Sequence, residues 1–189
     1  MTRKTIVRTA ISVCAVLAAG AVVFLLWWKG FFLPGWITWE NKEAALASES
    51  EDGGRTYRLV LKHRQFVMEE IPSGLSVLLR TQGDWYVSDF LTGDIDRDGA
   101  PEVLLLVWKH GSYGKHRPFW VEHDTIQFSQ HIFIYKLQNN ILRPIWMSSA
   151  LELSILEWEL DDQAMLTIKD LDGETSKWAW IWWGLTRVD

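Results

Sequence analysis

The sequence predicts an all-β fold, an antiparallel meander of two or three small sheets preceded by one N-terminal transmembrane helix. Three observations carry that expectation. After Gly54 the chain breaks into short runs rich in Val, Ile, Leu and Trp, separated by turn residues at intervals of roughly ten. Where the pattern is cleanest it has a period of two: Leu156, Trp158 and Leu160 face one way, Glu157 and Glu159 the other. Ahead of all this, Thr9 to Trp28 holds no charged residue, and twenty residues at about 1.5 Å each match the roughly 30 Å of a bilayer's hydrocarbon core.

The N-terminal stretch fixes the expected organisation. Arg3, Lys4 and Arg8 precede it, so the positive-inside tendency places residues 1–8 in the cytoplasm and everything beyond the 9–28 span outside the cell membrane, with Trp27 and Trp28 at the interface. Ala19-Gly20-Ala21 has the small-x-small form of a signal-peptidase site, but cleavage there would leave the greasy terminus Val22 to Trp28, so an uncleaved single-pass anchor is expected. Cys14, the only cysteine, lies inside the span, which excludes an intrachain disulfide. The formal charge is −5, from 19 Lys and Arg against 24 Asp and Glu. Removing Arg3, Lys4, Arg8 and Lys29 leaves the remainder at −9, unsuited to nucleic acid, which requires clustered Lys and Arg.

Beyond the anchor, residues 29–54 read as a juxtamembrane segment and linker. Trp36 and Trp39 either hug the membrane or pack on the base of the domain, and Glu40 to Gly54 lacks aromatics, with one turn of helix expected around Ala44 to Ala47. Residues 55–189 form the extracytoplasmic β domain. In order, strands are expected around Tyr57–Leu61, Leu75–Leu79, Trp85–Phe90, Val103–Trp108, Ile132–Leu137, Leu142–Met147, Leu156–Leu160, Ala164–Lys169 and Trp178–Trp183. Pro144 demotes its strand to an edge. Gln138-Asn139-Asn140, Asp161-Asp162-Gln163 and Asp170-Leu171-Asp172-Gly173 supply the turns. Trp85 to Met147 and Leu156 to Val188 each have the length of one small antiparallel sheet, and a full ring of such sheets does not fit in about 135 residues.

The most specific chemistry lies in Gly93-Asp94-Ile95-Asp96-Arg97-Asp98-Gly99-Ala100-Pro101-Glu102. Carboxylates at alternate positions of a tight loop can curl round one hard cation, and calcium takes six to eight oxygens. Gly99 permits the sharp turn. A helical calcium loop would carry glutamate at its twelfth position and continue as a helix, whereas here that position is Leu105 in an apolar strand, so an EF-hand is excluded. A nine-residue D-x-D-x-D-G-x-x-[D/E] loop emptying into such a strand, led by the aromatic Asp84-Trp85-Tyr86-Val87-Ser88-Asp89-Phe90, resembles the calcium-binding repeats of the FG-GAP and VCBS type found in integrin-alpha-like β-propeller blades. The resemblance covers about a quarter of the chain. It implies blade-like sheets, Ca2+ as a structural cofactor, side-chain ligands at Asp94, Asp96, Asp98 and Glu102, and a backbone carbonyl ligand at Ala100.

Four of the five histidines fall between His110 and His131, in a connection longer than a hairpin needs. His116, Glu122, His123, Asp124 and His131 include possible transition-metal ligands, but their spacing matches no established zinc pattern. The preferred expectation is a loop folded over a sheet end with Phe119 and Trp120 buried as a plug. Thirteen tryptophans also suit a sugar-binding surface. There is no Gly-x-Ser-x-Gly elbow, no His-Glu-x-x-His and no phosphate-cradling glycine loop, and no catalytic residue is assigned. The expected function is therefore a membrane-anchored, extracytoplasmic, calcium-stabilised binding or assembly module whose partner is a protein or an envelope glycan. The alternatives are a glycan-binding module and an envelope hydrolase or metal-dependent enzyme built on residues 110–131.

Overall fold

A computed structural model describes residues 3–48, 54–71, 76–114 and 116–189, with side chains from Ser12 onward. The chain divides into two compact units, Met1–Gly35 and Trp36–Asp189.

The first unit is dominated by one helix, α1 (Arg3–Trp28). Among the described residues no helix is long and apolar enough to cross a membrane. The expected span begins at Thr9, and the side chains of Thr9, Ala10 and Ile11 lie outside the described residues. From Ser12 to Trp28 the helix covers about 26 Å.

The second unit holds three four-stranded antiparallel sheets, each a simple meander. The first comprises β1 (Lys42–Ser48), β2 (Arg55–Lys62), β3 (Gln65–Ile71) and β4 (Val77–Arg80). The second comprises β5 (Tyr86–Gly93), β6 (Glu102–His110), β7 (Phe128–Gln138) and β8 (Ile141–Met147). The third comprises β9 (Ile155–Leu160), β10 (Met165–Asp170), β11 (Thr175–Ile181) and β12 (Gly184–Arg187). The last two sheets match the divisions expected from Trp85 to Met147 and from Leu156 to Val188.

The second sheet is the middle layer. Along β6 consecutive side chains point to opposite faces, and both faces are covered: Val103, Leu105 and Val107 join Tyr57, Leu59, Leu61, Phe66 and Met68 of the first sheet. Leu104 and Leu106 join Ile155, Leu166 and Ile168 of the third. That is why β6 is a continuous apolar run and not an alternating one. Polar side chains also cross the layers. The Gln130 amide pairs with the backbone of Ile155 as a ladder residue would, donating to its carbonyl at 3.1 Å and accepting from its N–H at 2.7 Å. Trp158 Nε1 donates to Asp89 at 2.6 Å, and Tyr57 Oη donates to Asn140 at 2.9 Å. The outer faces of the stack are polar, with Arg58 forked onto Glu43 at 2.5 and 2.9 Å on one side and Lys169 on Glu157 at 3.1 Å on the other.

The turns obey local chemistry. Asn139 and Asn140 both have positive φ, 50° and 61°, the pattern of a two-residue hairpin whose twist matches its strands. Asp161 and Asp170 each accept two backbone N–H groups of their own turn. β8, carrying Pro144, is an edge strand with a register shift opposite it.

Several expectations are corrected. Residues 29–54 are not a linker throughout: the second unit begins at Trp36, and Lys42–Ser48 pairs residue by residue with Arg55–Leu61. No helical turn forms at Ala44–Ala47, because Ala44 and Leu46 have an apolar sheet face to join. Residues 49–53, in the remainder of that segment, lie outside the described residues. Trp36 and Trp39 pack on the domain, the first edge-on to Trp108 at 5.7 Å and the second under the Arg64 guanidinium at 4.1 Å. Glu69 and Glu70 lie in β3, where each pairs with an arginine of β2. The expected strand starting at Leu75 is seen from Val77, with residues 72–75 outside the described residues. The last expected strand stops at Ile181; Trp182 and Trp183 form a hairpin tip, followed by β12.

Burial on both faces of β6 has a measurable signature. Leu104→Ala and Leu105→Ala point into different interfaces, yet each should cost about 2–5 kcal/mol in urea unfolding of the purified chain. A strand covered on one face only would make one of the two nearly silent.

Candidate metal centre

The Asp-rich loop joins β5 to β6 at one end of the middle sheet. Ile95, 1 % exposed, faces inward among Leu104, Ile132 and Ile168 and pins the loop to the core, so that Asp94 and Asp96 on either side of it face away. Gly99 has φ +90°, the left-handed backbone the sequence anticipates at the sharp turn. The loop ties itself with its own carboxylates: Asp94 accepts the N–H groups of Asp98 at 3.0 Å and Gly99 at 2.8 Å, Asp98 accepts that of Ala100 at 3.0 Å, and Glu102 accepts that of Ile95 at 3.0 Å. Arg97, also at positive φ, donates to the Gln163 carbonyl in the β9–β10 turn at 2.6 Å.

Three of the expected ligands converge. One oxygen each of Asp94, Asp96 and Glu102 lie within 4.8 Å of one another, inside the upper limit for oxygens about 2.4 Å from a shared ion. Asp98 does not join them. Its carboxylate turns to Lys136, and Ala100 takes part through its N–H.

Sequence reasoning missed Lys136. It sits on β7 directly across from Glu102, so the two side chains share one face. Its ammonium lies 2.5 Å from Asp96, 2.6 Å from Asp98 and 2.9 Å from Glu102, and the side chain is 6 % exposed. The available signal was a lone cation in the apolar run His131-Ile132-Phe133-Ile134-Tyr135-Lys136-Leu137, which must find an anion if it is buried. Electrostatics follow from the geometry. Burial alone would depress the Lys136 ammonium, but its bonds to Asp96, Asp98 and Glu102 outweigh that and hold its pKa above the ordinary lysine range. The Lys136 bond holds Asp98 below the usual carboxylate range. Burial raises Glu102 against the opposing pull of Lys136.

Three of the four carboxylates face the Lys136 ammonium, and with Arg97 counted the loop keeps two formal negative charges. An all-oxygen, convergent and under-neutralised donor set fits a hard divalent cation. Lys136 holds two of its three members, so a cation must share Asp96 and Glu102 with it or displace it.

The histidine-rich connection behaves otherwise. Among the described residues, the convergent group of three metal-binding side chains is the Asp94, Asp96 and Glu102 set; His116, Glu122, His123, Asp124 and His131 are not brought together. His131 is buried in β7, with Nδ1 3.0 Å from the Ser148 carbonyl and Nε2 2.9 Å from the Ser129 hydroxyl. Burial holds its pKa below the ordinary histidine value. The Asp124 carboxylate accepts the Ser112 and Thr125 N–H groups, and Lys109 donates to the carbonyls of His110 and Tyr113, closing the neck of the connection. Phe119 and Trp120 are not a plug: they are 94 % and 71 % exposed.

No family model matches the chain, and neither a curated protein nor a solved structure matches it.

Removing one member of the buried ion cluster should be expensive. Lys136→Met strands Glu102 without its cation and should destabilise the chain by about 3–5 kcal/mol in metal-free buffer, with Glu102→Gln in the same background recovering part of the loss in a double-mutant cycle.

His131 gives a pH test whose sign follows from its depressed pKa. The unfolded chain takes up a proton near pH 6.5 and the folded one does so only at lower pH, so the stabilisation is complete above about pH 6.5 and lost as pH falls below it. Thermal melts should therefore show a smaller drop between about pH 7.5 and about pH 5.5 for His131→Gln than for the parent chain.

Proposed function

We propose that the chain is a single-pass membrane protein whose N-terminus is cytoplasmic and whose β domain stands outside as a calcium-stabilised binding or assembly module. The observation that carries the anchor is the uncharged stretch Thr9 to Trp28 of the sequence, because the described part of the helix is not by itself long and apolar enough to cross. α1 runs 26 residues, about 39 Å at about 1.5 Å per residue, and its sequence is uncharged from Thr9 to Trp28. Its described apolar side chains, among them Val16, Leu17, Val22, Val23 and Leu25, are more than half exposed on successive positions and so on every side. A helix apolar all round suits lipid and not water. Arg3, Lys4 and Arg8 on one flank support the orientation.

Calcium is the cation the loop's donor set and spacing favour. Asp94, Asp96 and Glu102 would hold it; Asp98, which the resemblance would add, is taken by Lys136. Its role is structural, cross-linking the β5–β6 corner. The three-layer stack then serves as a rigid scaffold presenting its loops to a partner. The buried, hydrogen-bonded His131 and the dispersed histidines favour this reading over a metalloenzyme.

Two measurements test it. Protease added outside intact cells should degrade the region after Gly30, and full protection of that region in cells shown to be accessible would reverse the orientation. Calcium at about a hundred times its dissociation constant should stabilise the purified chain by about 2.7 kcal/mol, reversed by chelator and largely absent in Asp96→Ala. A melting curve indifferent to calcium, chelator and substitution would remove calcium from the account.

A further inference from the structure

The place of Lys136 decides how a cation from solution can enter the acidic corner. Glu102 is 0 % exposed, and its two oxygens are used differently. Oε2 accepts the Ile95 N–H at 3.0 Å and ties the loop to the start of β6. Oε1 accepts no hydrogen bond among the described residues; it meets the Lys136 ammonium, 2.9 Å away, as one charge meets another. A buried carboxylate oxygen in that position calls for an ion. Asp96 is divided in the same way, with Oδ1 taking the Asp98 N–H at 3.3 Å and Oδ2 lying 2.5 Å from Lys136. The oxygens of Asp96 and Glu102 that the backbone leaves open to a metal are therefore the two that the ammonium holds.

Sharing them is unfavourable. A dication bound to both would stand beside Nζ, with little water between to screen the two charges. Exchange meets no such obstacle. Asp98, the third partner of Lys136, has a side chain 52 % exposed, so the ammonium already has a neighbour on the water side. The flexible four-carbon stem can stay buried while the charged head swings out. Its departure also frees Asp98, which Lys136 draws out of the convergent set of Asp94, Asp96 and Glu102.

We propose that Lys136 is the exchangeable occupant of the cation site: calcium enters by displacing its ammonium from Asp96 and Glu102, and Asp98, released by the exchange, becomes a ligand. This rests on the calcium reading above. The test uses the full chain purified in detergent, with calcium and with chelator. Reductive methylation read by peptide mass spectrometry should label Lys136 slowly in chelator and several-fold faster at saturating calcium, while the exposed Lys169 is labelled alike in both. The direction is diagnostic, because a metal that only stabilised the fold would slow the labelling of a buried lysine. In titrations against a chromophoric chelator, Lys136→Met should bind calcium at least about tenfold more tightly than the parent chain, since no ammonium has to leave. Asp98→Ala should bind it more weakly. If Lys136→Met does not fold even with calcium, labelling of the parent chain and the Asp98→Ala affinity decide. Three results overturn the exchange and leave the calcium site standing: calcium bound by the parent with Lys136 still protected, a Lys136→Met affinity no higher than the parent's, or an Asp98→Ala affinity equal to it. A parent chain that binds no calcium removes the site and the exchange with it.

Discussion

The middle sheet is buried on both faces, and the rest of the domain is arranged to keep it so. β6 and β7 are too apolar to leave either side to water, and at about 25 cal/mol per Å2 of apolar surface neither flanking sheet is dispensable. The flanking sheets are amphipathic in return. Tyr57, Leu59 and Leu61 of β2 and Leu166 and Ile168 of β10 point inward. Arg58, Glu43, Lys169 and Glu157 lie on the outer faces, where their exposed pairs add little stability but make the stack's two ends compatible with solvent. Among the described residues, the middle sheet packs on both faces and each outer sheet packs against it on one.

Burial of the middle sheet also explains the acidic corner. Lys136 is a charge in a strand with no free face, so its ammonium must meet anions at the nearest strand end, and Glu102 lies directly opposite. The loop thus carries an internal cation. Four carboxylates against Arg97 and Lys136 leave the loop under-neutralised by two charges, which suits a cation.

Much of this was legible in the residues because the relevant signals are local. The apolar run Val103–Trp108, the Asn139-Asn140 turn, the edge role of Pro144 and the convergence of Asp94, Asp96 and Glu102 all follow from periodicity, backbone preference and ligand spacing. What stayed hidden depends on partners distant in sequence. Lys42–Ser48 is Ala-rich and polar, and becomes a strand only because β2 offers it an edge and an apolar face. Lys136 is silent until the register with Glu102 is known. Phe119 and Trp120, expected as a buried plug, and Trp182 and Trp183, expected in the last strand, are exposed, because the connections that carry them extend beyond the sheets and periodicity does not show that.

Native-state hydrogen exchange tests the two-sided burial most directly. The amides of Val103 to Val107 and Ile132 to Leu137 should exchange only through global unfolding, with opening free energies equal to the stability of the whole domain, while those of the outer strands β1 and β12 open earlier. Exchange of the β6 and β7 amides through local opening, at rates like those of the outer strands, would contradict the account.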